Sequence, residues 1–333
     1  MPSPELHLVG HVCLDIAPGM TGPVTMEPGA LSQVGAPGIT VGGAVGNGAR
    51  AVAGLGRSAV LTGMVGDDAF GSVCRETLEA LLPGGVRLGT SAASATSYSV
   101  VIQPPASDRS FWHHTGANDD FDGTIDLVGA PILHFGYPTL VPTMTRDGGT
   151  PTVDLFSRVT AQGSATSLDL SYCAENSPLR HYDWGGYFRA VLPLTDVFCP
   201  SWDDLVSAGC GGSGRRPHAV VAAAERFLGE GAGIVLLSLG EDGAYLATAG
   251  EDRLERFCTA VGGDADSWAG IRQWIPAAPV DRFVTANGAG DVFNVAFLLG
   301  ALDGLGGIDA ATRAAEVASR AIGGRPLRAE TYA

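Results

Sequence analysis

Val284-Thr285-Ala286-Asn287-Gly288-Ala289-Gly290-Asp291-Val292-Phe293 is the stretch on which the reading of this chain turns. An apolar pair precedes the turn, and Val292, Val295, Ala296, Leu299 and Leu302 follow at helical spacing. The pattern predicts a strand, a turn of small residues and a helix. That order aims the free N–H groups of a helix start at an anion, which glycines let approach closely. Asp291 falls in the first helical turn, where a carboxylate can take a proton from an attacking hydroxyl. Taken in isolation it can equally serve to stabilise the helix start. A dinucleotide-binding G-x-G-x-x-G fits poorly, because its third glycine would fall at Phe293.

Outward from this turn, short apolar runs alternate with amphipathic ones. Strands are predicted at 6–9, 59–65, 132–135, 167–170, 196–199 and 234–239, and helices at 45–54, 70–81, 219–228, 291–302 and 310–322. The alternation predicts an α/β protein with a mostly parallel sheet. Two stretches, at about 16–41 and 88–115, interrupt it with extended runs such as Tyr98-Ser99-Val100-Val101-Ile102 and Ser110-Phe111-Trp112. They predict a small sheet suited to a lid, or ordinary antiparallel edge strands. Residues 262–279 read as a surface loop whose Trp268 and Trp274 pack locally.

Composition narrows the chemistry. The 333 residues are 45% hydrophobic, ample for a sizeable core. All 20 basic residues are arginine. Without lysine there is no Walker-A loop, no protein-kinase strand lysine and no Schiff base in their usual forms. Phosphate chemistry must then rely on backbone N–H groups, arginine and metal. The net charge of −15 and the lack of a basic run argue against nucleic acid as a partner. No apolar run approaches a bilayer span, and Met1-Pro2-Ser3-Pro4-Glu5 lacks the features of a secretion signal. The expectation is a soluble, cytoplasmic protein with no membrane partner. The six cysteines show no C-x-x-C pair, so their spacing supports neither a disulfide framework nor a zinc site.

A second glycine segment, Val41-Gly42-Gly43-Ala44-Val45-Gly46-Asn47, opens a helix, and Val65-Gly66-Asp67-Asp68-Ala69-Phe70-Gly71 follows. Together with the late G-A-G-D, in this order and separation, they resemble the ribokinase/PfkB family of carbohydrate and nucleoside kinases. Gly10-His11-Val12-Cys13-Leu14-Asp15 resembles the family's first strand, Gly116-Ala117-Asn118 follows the second lid stretch, and Ser238-Leu239-Gly240-Glu241-Asp242-Gly243 resembles its nucleotide turn. The resemblance covers nearly the whole chain. It implies one kinase domain over 1–333, with three α/β/α layers and a small β lid.

It further implies a kinase that uses ATP and Mg²⁺ to phosphorylate a hydroxymethyl group of a sugar or related polyol. Asp291 would be the base, and the N–H groups of Asn287, Gly288, Ala289 and Gly290 an anion hole. Asp15, Gly42, Gly43 and Asn47 would border the acceptor, and Ser238, Gly240 and Gly243 the nucleotide, with adenine toward 318–323. Asp204, in Ser201-Trp202-Asp203-Asp204, stands where the family's N-x-x-E motif is linked to magnesium. Thr285-Ala286-Asn287 replaces the frequent D-T-T, which leaves a monovalent cation open. Two alternatives stay in view: a nucleoside kinase, suggested by Asn287, and a sugar-binding regulator that kept the fold. Pairing of two copies through lid strands is a further expectation.

Among other candidates, His113 and His114 are neighbours on a strand and face opposite ways, so one ion cannot easily take both. Arg109 sits where some family members carry a lid arginine. His134 lies in a buried strand pattern and reads as a core histidine.

Overall fold

Alternating side chains divide the strands between two helical layers. The computed structural model describes residues 3–22, 27–104, 109–212 and 214–331, so parts of both expected lid stretches, 23–26 and 105–108, lie outside the described residues. Among these, nine strands form one sheet in the order β13 (Arg272–Ile275), β12 (Ala244–Thr248), β11 (Ile234–Ser238), β10 (Val197–Phe198), β9 (Ala165–Asp169), β8 (Ile132–Gly136), β1 (Leu6–Gly10), β4 (Ala59–Gly66), β5 (Val86–Ser91). Neighbours are parallel except at β11–β12 and β12–β13.

Along β11, Ile234 and Leu236 join one core and Val235 and Leu237 the other, as the two-residue strand period requires. The first core is closed by α1 (Gly43–Gly54), α2 (Ala69–Leu81), α7 (Glu251–Val261), α8 (Ala289–Leu302) and α9 (Gly307–Ile322), through side chains such as Val52, Leu78, Phe257, Phe297 and Val317. The second is closed by α3 (Arg146–Ala161), α4 (Trp184–Val191), α5 (Trp202–Ser207) and α6 (Pro217–Gly229), through Phe156, Trp184, Phe188, Leu205 and Phe227. The expected three layers are present.

A second sheet of order β3 (Gly35–Gly42), β2 (Cys13–Gly19), β6 (Tyr98–Ile102), β7 (Ser110–His114) forms the lid. The run at 86–91 is not part of it: β5 is an edge strand of the central sheet, parallel to β4. Residues 262–279 also hold more order than a loop. Trp268 is fully buried between Phe257 and Phe297, and β13 places Trp274 against Tyr245. Among the described residues no strand leads directly into the Gly288 turn; instead the Val284 and Thr285 N–H groups both donate to the Ile322 carbonyl, at 2.9 and 3.2 Å. No helix among the described residues is long and apolar enough to cross a membrane.

Strand β1 lies between β4 and β8, so the direction of winding reverses beside it. Ligands of open α/β sheets bind at such a switch point, beyond the carboxyl ends of the strands.

Candidate active site

The carboxyl ends of β1, β8 and β9 are tied together at this point. The His11 N–H donates to the Gly136 carbonyl at 3.3 Å, and the Tyr137 N–H to the Asp169 carbonyl at 3.2 Å. Helices α1 and α8 both start here. Gly288 precedes α8 with φ 71°, in the left-handed region, and a Cβ on it would stand 2.9 Å from Asn47 Cγ. Glycine is therefore required twice over, by conformation and by space.

Asp291 lies in the first turn of α8 and is buried. Its Oδ2 accepts from Asn47 Nδ2 at 2.8 Å and from Tyr137 Oη at 2.7 Å, while Oδ1 is buried with no partner among the described groups. Burial pushes its pKa up to about 7, against the lowering effect of these two bonds and of the Arg50 charge. A carboxylate so poised is ionised part of the time at neutral pH and retains one oxygen free to accept a proton.

Asn47, on α1, is engaged at both ends, since its Oδ1 also accepts from Arg50 Nη2 at 2.5 Å. Its amide thus bonds the Asp291 carboxylate on one side and Arg50 on the other. Arg50 donates as well to the Val41 carbonyl, and its charge acts on Asp15 and Asp291. Asp15, on lid strand β2, accepts from Cys13 Sγ at 3.3 Å and from Asn287 Nδ2 at 3.5 Å; burial raises its pKa. Gly42 ends β3 and Gly43 begins α1, and a Cβ on Gly42 would stand 2.3 Å from Asp15 Oδ2. The structure therefore gathers Asp15, Gly42, Gly43, Asn47, Asn287, Gly288 and Asp291 around one point.

Two of the four N–H groups expected to form an anion hole bond within the turn itself. The Asn287 N–H donates to Thr285 Oγ1 at 3.1 Å and the Ala289 N–H to the Ala286 carbonyl at 3.2 Å. Those of Gly288 and Gly290 are the ones left to face an anion. The lid reaches the same turn: Arg109 Nη2 donates to the Ala286 carbonyl at 3.4 Å, and its guanidinium lies 5.7 Å from the Phe111 ring centre.

On the far side, Ser238 ends β11, Gly240 opens a short 3₁₀ turn, and Gly243 leads into β12. Ser201 forms a parallel bridge with Ser238, which brings the Asp204 segment beside this turn. Arg215 ties the turn down through the Leu239 carbonyl at 2.9 Å, Asp203 at 2.7 Å and Asp242 at 3.7 Å. Asp204 caps α5: its Oδ2 accepts from the Ser201 N–H at 3.2 Å and from Ser201 Oγ at 2.5 Å. Burial pushes its pKa up to about 7. Asp169 is raised well above the usual carboxylate range by burial, then by the charges of Asp204 and Asp291. Asp169 and Asp291 are buried and Asp204 is half-buried; all three offer only oxygen, the donor that a hard divalent cation such as Mg²⁺ prefers, and Asp291 Oδ1 has no partner among the described groups.

Tyr137, Arg50 and Asp169 escaped the reading of the sequence. The signal for Tyr137 was its place between Gly136 and Pro138 at the end of a buried strand; it holds φ 71°, a strained value for a bulky side chain.

A three-layer sheet with a β lid and a carboxylate at a glycine-turn helix start defines a ribokinase-like protein. The model for pfkB family carbohydrate kinase matches residues 4–329, and the chain belongs to that family. Its fold is similar to ribokinase from Giardia lamblia (17% identity, TM-score 0.74, 99% of this chain and 98% of that one). It is similar also to Arabidopsis thaliana ribokinase complexed with ribose and ATP (18%, 0.71, 99% and 97%). A nucleoside kinase from Burkholderia thailandensis in complex with inosine aligns at 18% identity and TM-score 0.63, over 95% and 91%. No curated protein matches the sequence significantly.

Proposed function

We propose that this protein is an ATP-dependent kinase that phosphorylates a hydroxymethyl group of a sugar or related polyol, with Asp291 as the base. The observation that carries this reading is the Asp291 carboxylate, held through one oxygen by Asn47 and Tyr137 while the other stays unpartnered. The acceptor hydroxyl gives its proton to Asp291 as its oxygen bonds to the γ-phosphorus. The bond from that phosphorus to the β–γ bridging oxygen breaks, and ADP leaves with the electron pair. The Gly288 and Gly290 N–H groups face the transferring phosphoryl, Asp15 binds the acceptor, and the Ser238–Gly243 turn borders the nucleotide. Asp204 and Asp169 would hold Mg²⁺, which would neutralise phosphate charge there. The lid closes over the acceptor and excludes water.

A nucleoside acceptor is the second reading, favoured by the exposed Phe111 and Trp112 on the lid, which offer faces for a base to stack on. The ATP-turnover rate, coupled to ADP detection over a panel of sugars, polyols and nucleosides, separates the two by the compound that turns over. Binding without turnover for every compound would establish a regulator in place of a kinase. The same lid exposes Ile39, and pairing of two copies through this sheet is expected to show as a dimer by light scattering.

A further inference from the structure

His11, Cys13 and His113 come from three different places in the chain's architecture. His11 lies in the connection between β1 and β2, Cys13 is the first residue of lid strand β2, and His113 is on lid strand β7. Their ligating atoms all lie within 4.8 Å of one another. His11 Nε2 and His113 Nε2 are 3.2 Å apart. Two imidazole nitrogens on one tetrahedral zinc ion, each at about 2.0–2.1 Å, stand about 3.3 Å apart. The pair already has the edge length of such a site.

The outer partners agree. His113 Nδ1 is 3.0 Å from Ser99 Oγ on β6, and with Nδ1–H donating to that hydroxyl, Nε2 is the nitrogen available to ligate. His11 and Cys13 are buried, whereas His113 is exposed, which leaves a path for an ion and a fourth coordination position open to solvent. His114, the sequence neighbour, packs instead against Tyr98, so the second histidine comes from the β1–β2 connection and not from the next residue.

We propose that His11, Cys13 and His113 form a binding site for a divalent transition ion of the zinc class, which fastens the lid strand β7 to the hinge between the central sheet and the lid. Two imidazoles and a thiolate select such an ion over Mg²⁺, which prefers oxygen. The sulfur is the ligand that must move inward, and doing so breaks its contact with Asp15 Oδ1. The Sγ–metal bond forms as the S–H bond breaks, and the proton leaves to solvent. Because Asp15 is the acceptor-side carboxylate of the proposed kinase reaction, metal binding and acceptor binding are coupled through it. The metal site itself does not depend on that reaction.

The full chain, stripped with chelator, is titrated with Co²⁺ as a spectroscopic probe and then with Zn²⁺. The expected result is one Co²⁺ per chain with thiolate-to-cobalt charge-transfer absorption, displaced by Zn²⁺. Cys13→Ser removes that absorption. His113→Gln weakens binding by more than the roughly 10–100-fold that an outer-shell partner is worth. His114→Gln binds as wild type does. Absence of charge-transfer absorption in the wild type, or undiminished Co²⁺ affinity in His113→Gln, overturns the proposal. Both readouts are independent of kinase activity.

Discussion

The proposed acceptor side and the proposed nucleotide turn solve opposite problems. Around the buried Asp291 the polar groups are interlocked: Asn47 and Tyr137, from elements far apart in sequence, both donate to its carboxylate, and Arg50 donates to Asn47. Around Gly240 the groups are open to solvent, and Arg215 makes its ion pairs with the half-exposed Asp203 and Asp242. In the first region low dielectric magnifies each hydrogen bond and shifts pKa values. In the second, water and salt screen the same contacts. The contrast teaches where chemistry is prepared in advance and where a ligand completes the site on arrival.

The sharpest way to break the comparison is at the proposed base. Asp291→Ala is expected to lower kcat by about 10²–10⁴-fold in the coupled turnover assay. Undiminished turnover would remove Asp291 from the mechanism. The pH profile comes next. Asp291 must be ionised to accept a proton, and burial has raised its pKa to about 7. Activity is therefore expected to rise with pH through about 7 and to level above it, with a loss of roughly 50-fold between pH 7 and pH 5.

Tyr137→Phe sharpens the same side. Its hydroxyl lowers the Asp291 pKa by bonding the carboxylate, so its removal is expected to move the acid limb to higher pH. A loss of roughly tenfold in kcat at pH 7, with the KM for ATP unchanged, matches one charge-assisted hydrogen bond. A merely structural role would lower activity without moving the limb. At the nucleotide turn, Arg215→Ala removes screened pairs worth about 0–1 kcal/mol each. A change of less than about fivefold in the KM for ATP is expected, with kcat untouched. A larger effect there than at Tyr137 would invert the comparison.

Much of this was legible in the chain itself. The two-residue and 3.6-residue apolar periods located β1, β4, β8, β11 and the helices α1, α2, α6, α8 and α9. Helix α3 was hidden because its first residues, Asp147-Gly148-Gly149-Thr150-Pro151, carry turn chemistry, and three of them do hold positive φ. Strand β13 was hidden because three of its four residues are exposed at a sheet edge, which leaves no apolar alternation to read. Asp291, Gly288, Asp15 and Asn47 stood out because glycine turns with nearby polar residues are local signals. Tyr137, Arg50 and Asp169 did not, because each acts across elements.

What the sequence determined was the set of backbone conformations and one concentrated motif. Glycines at 42, 43 and 288 permit close approach, and a helix start follows each turn. Only the tertiary structure decided what those turns face. It occupied the Asn47 amide with Asp291 and Arg50, assigned the Asn287 and Ala289 N–H groups to their own turn, and set His11 against His113. The physical reason is range: turn and period preferences are settled within a few residues. A carboxylate's pKa or a ligand cluster depends on groups that meet only when the sheet reverses its winding at β1.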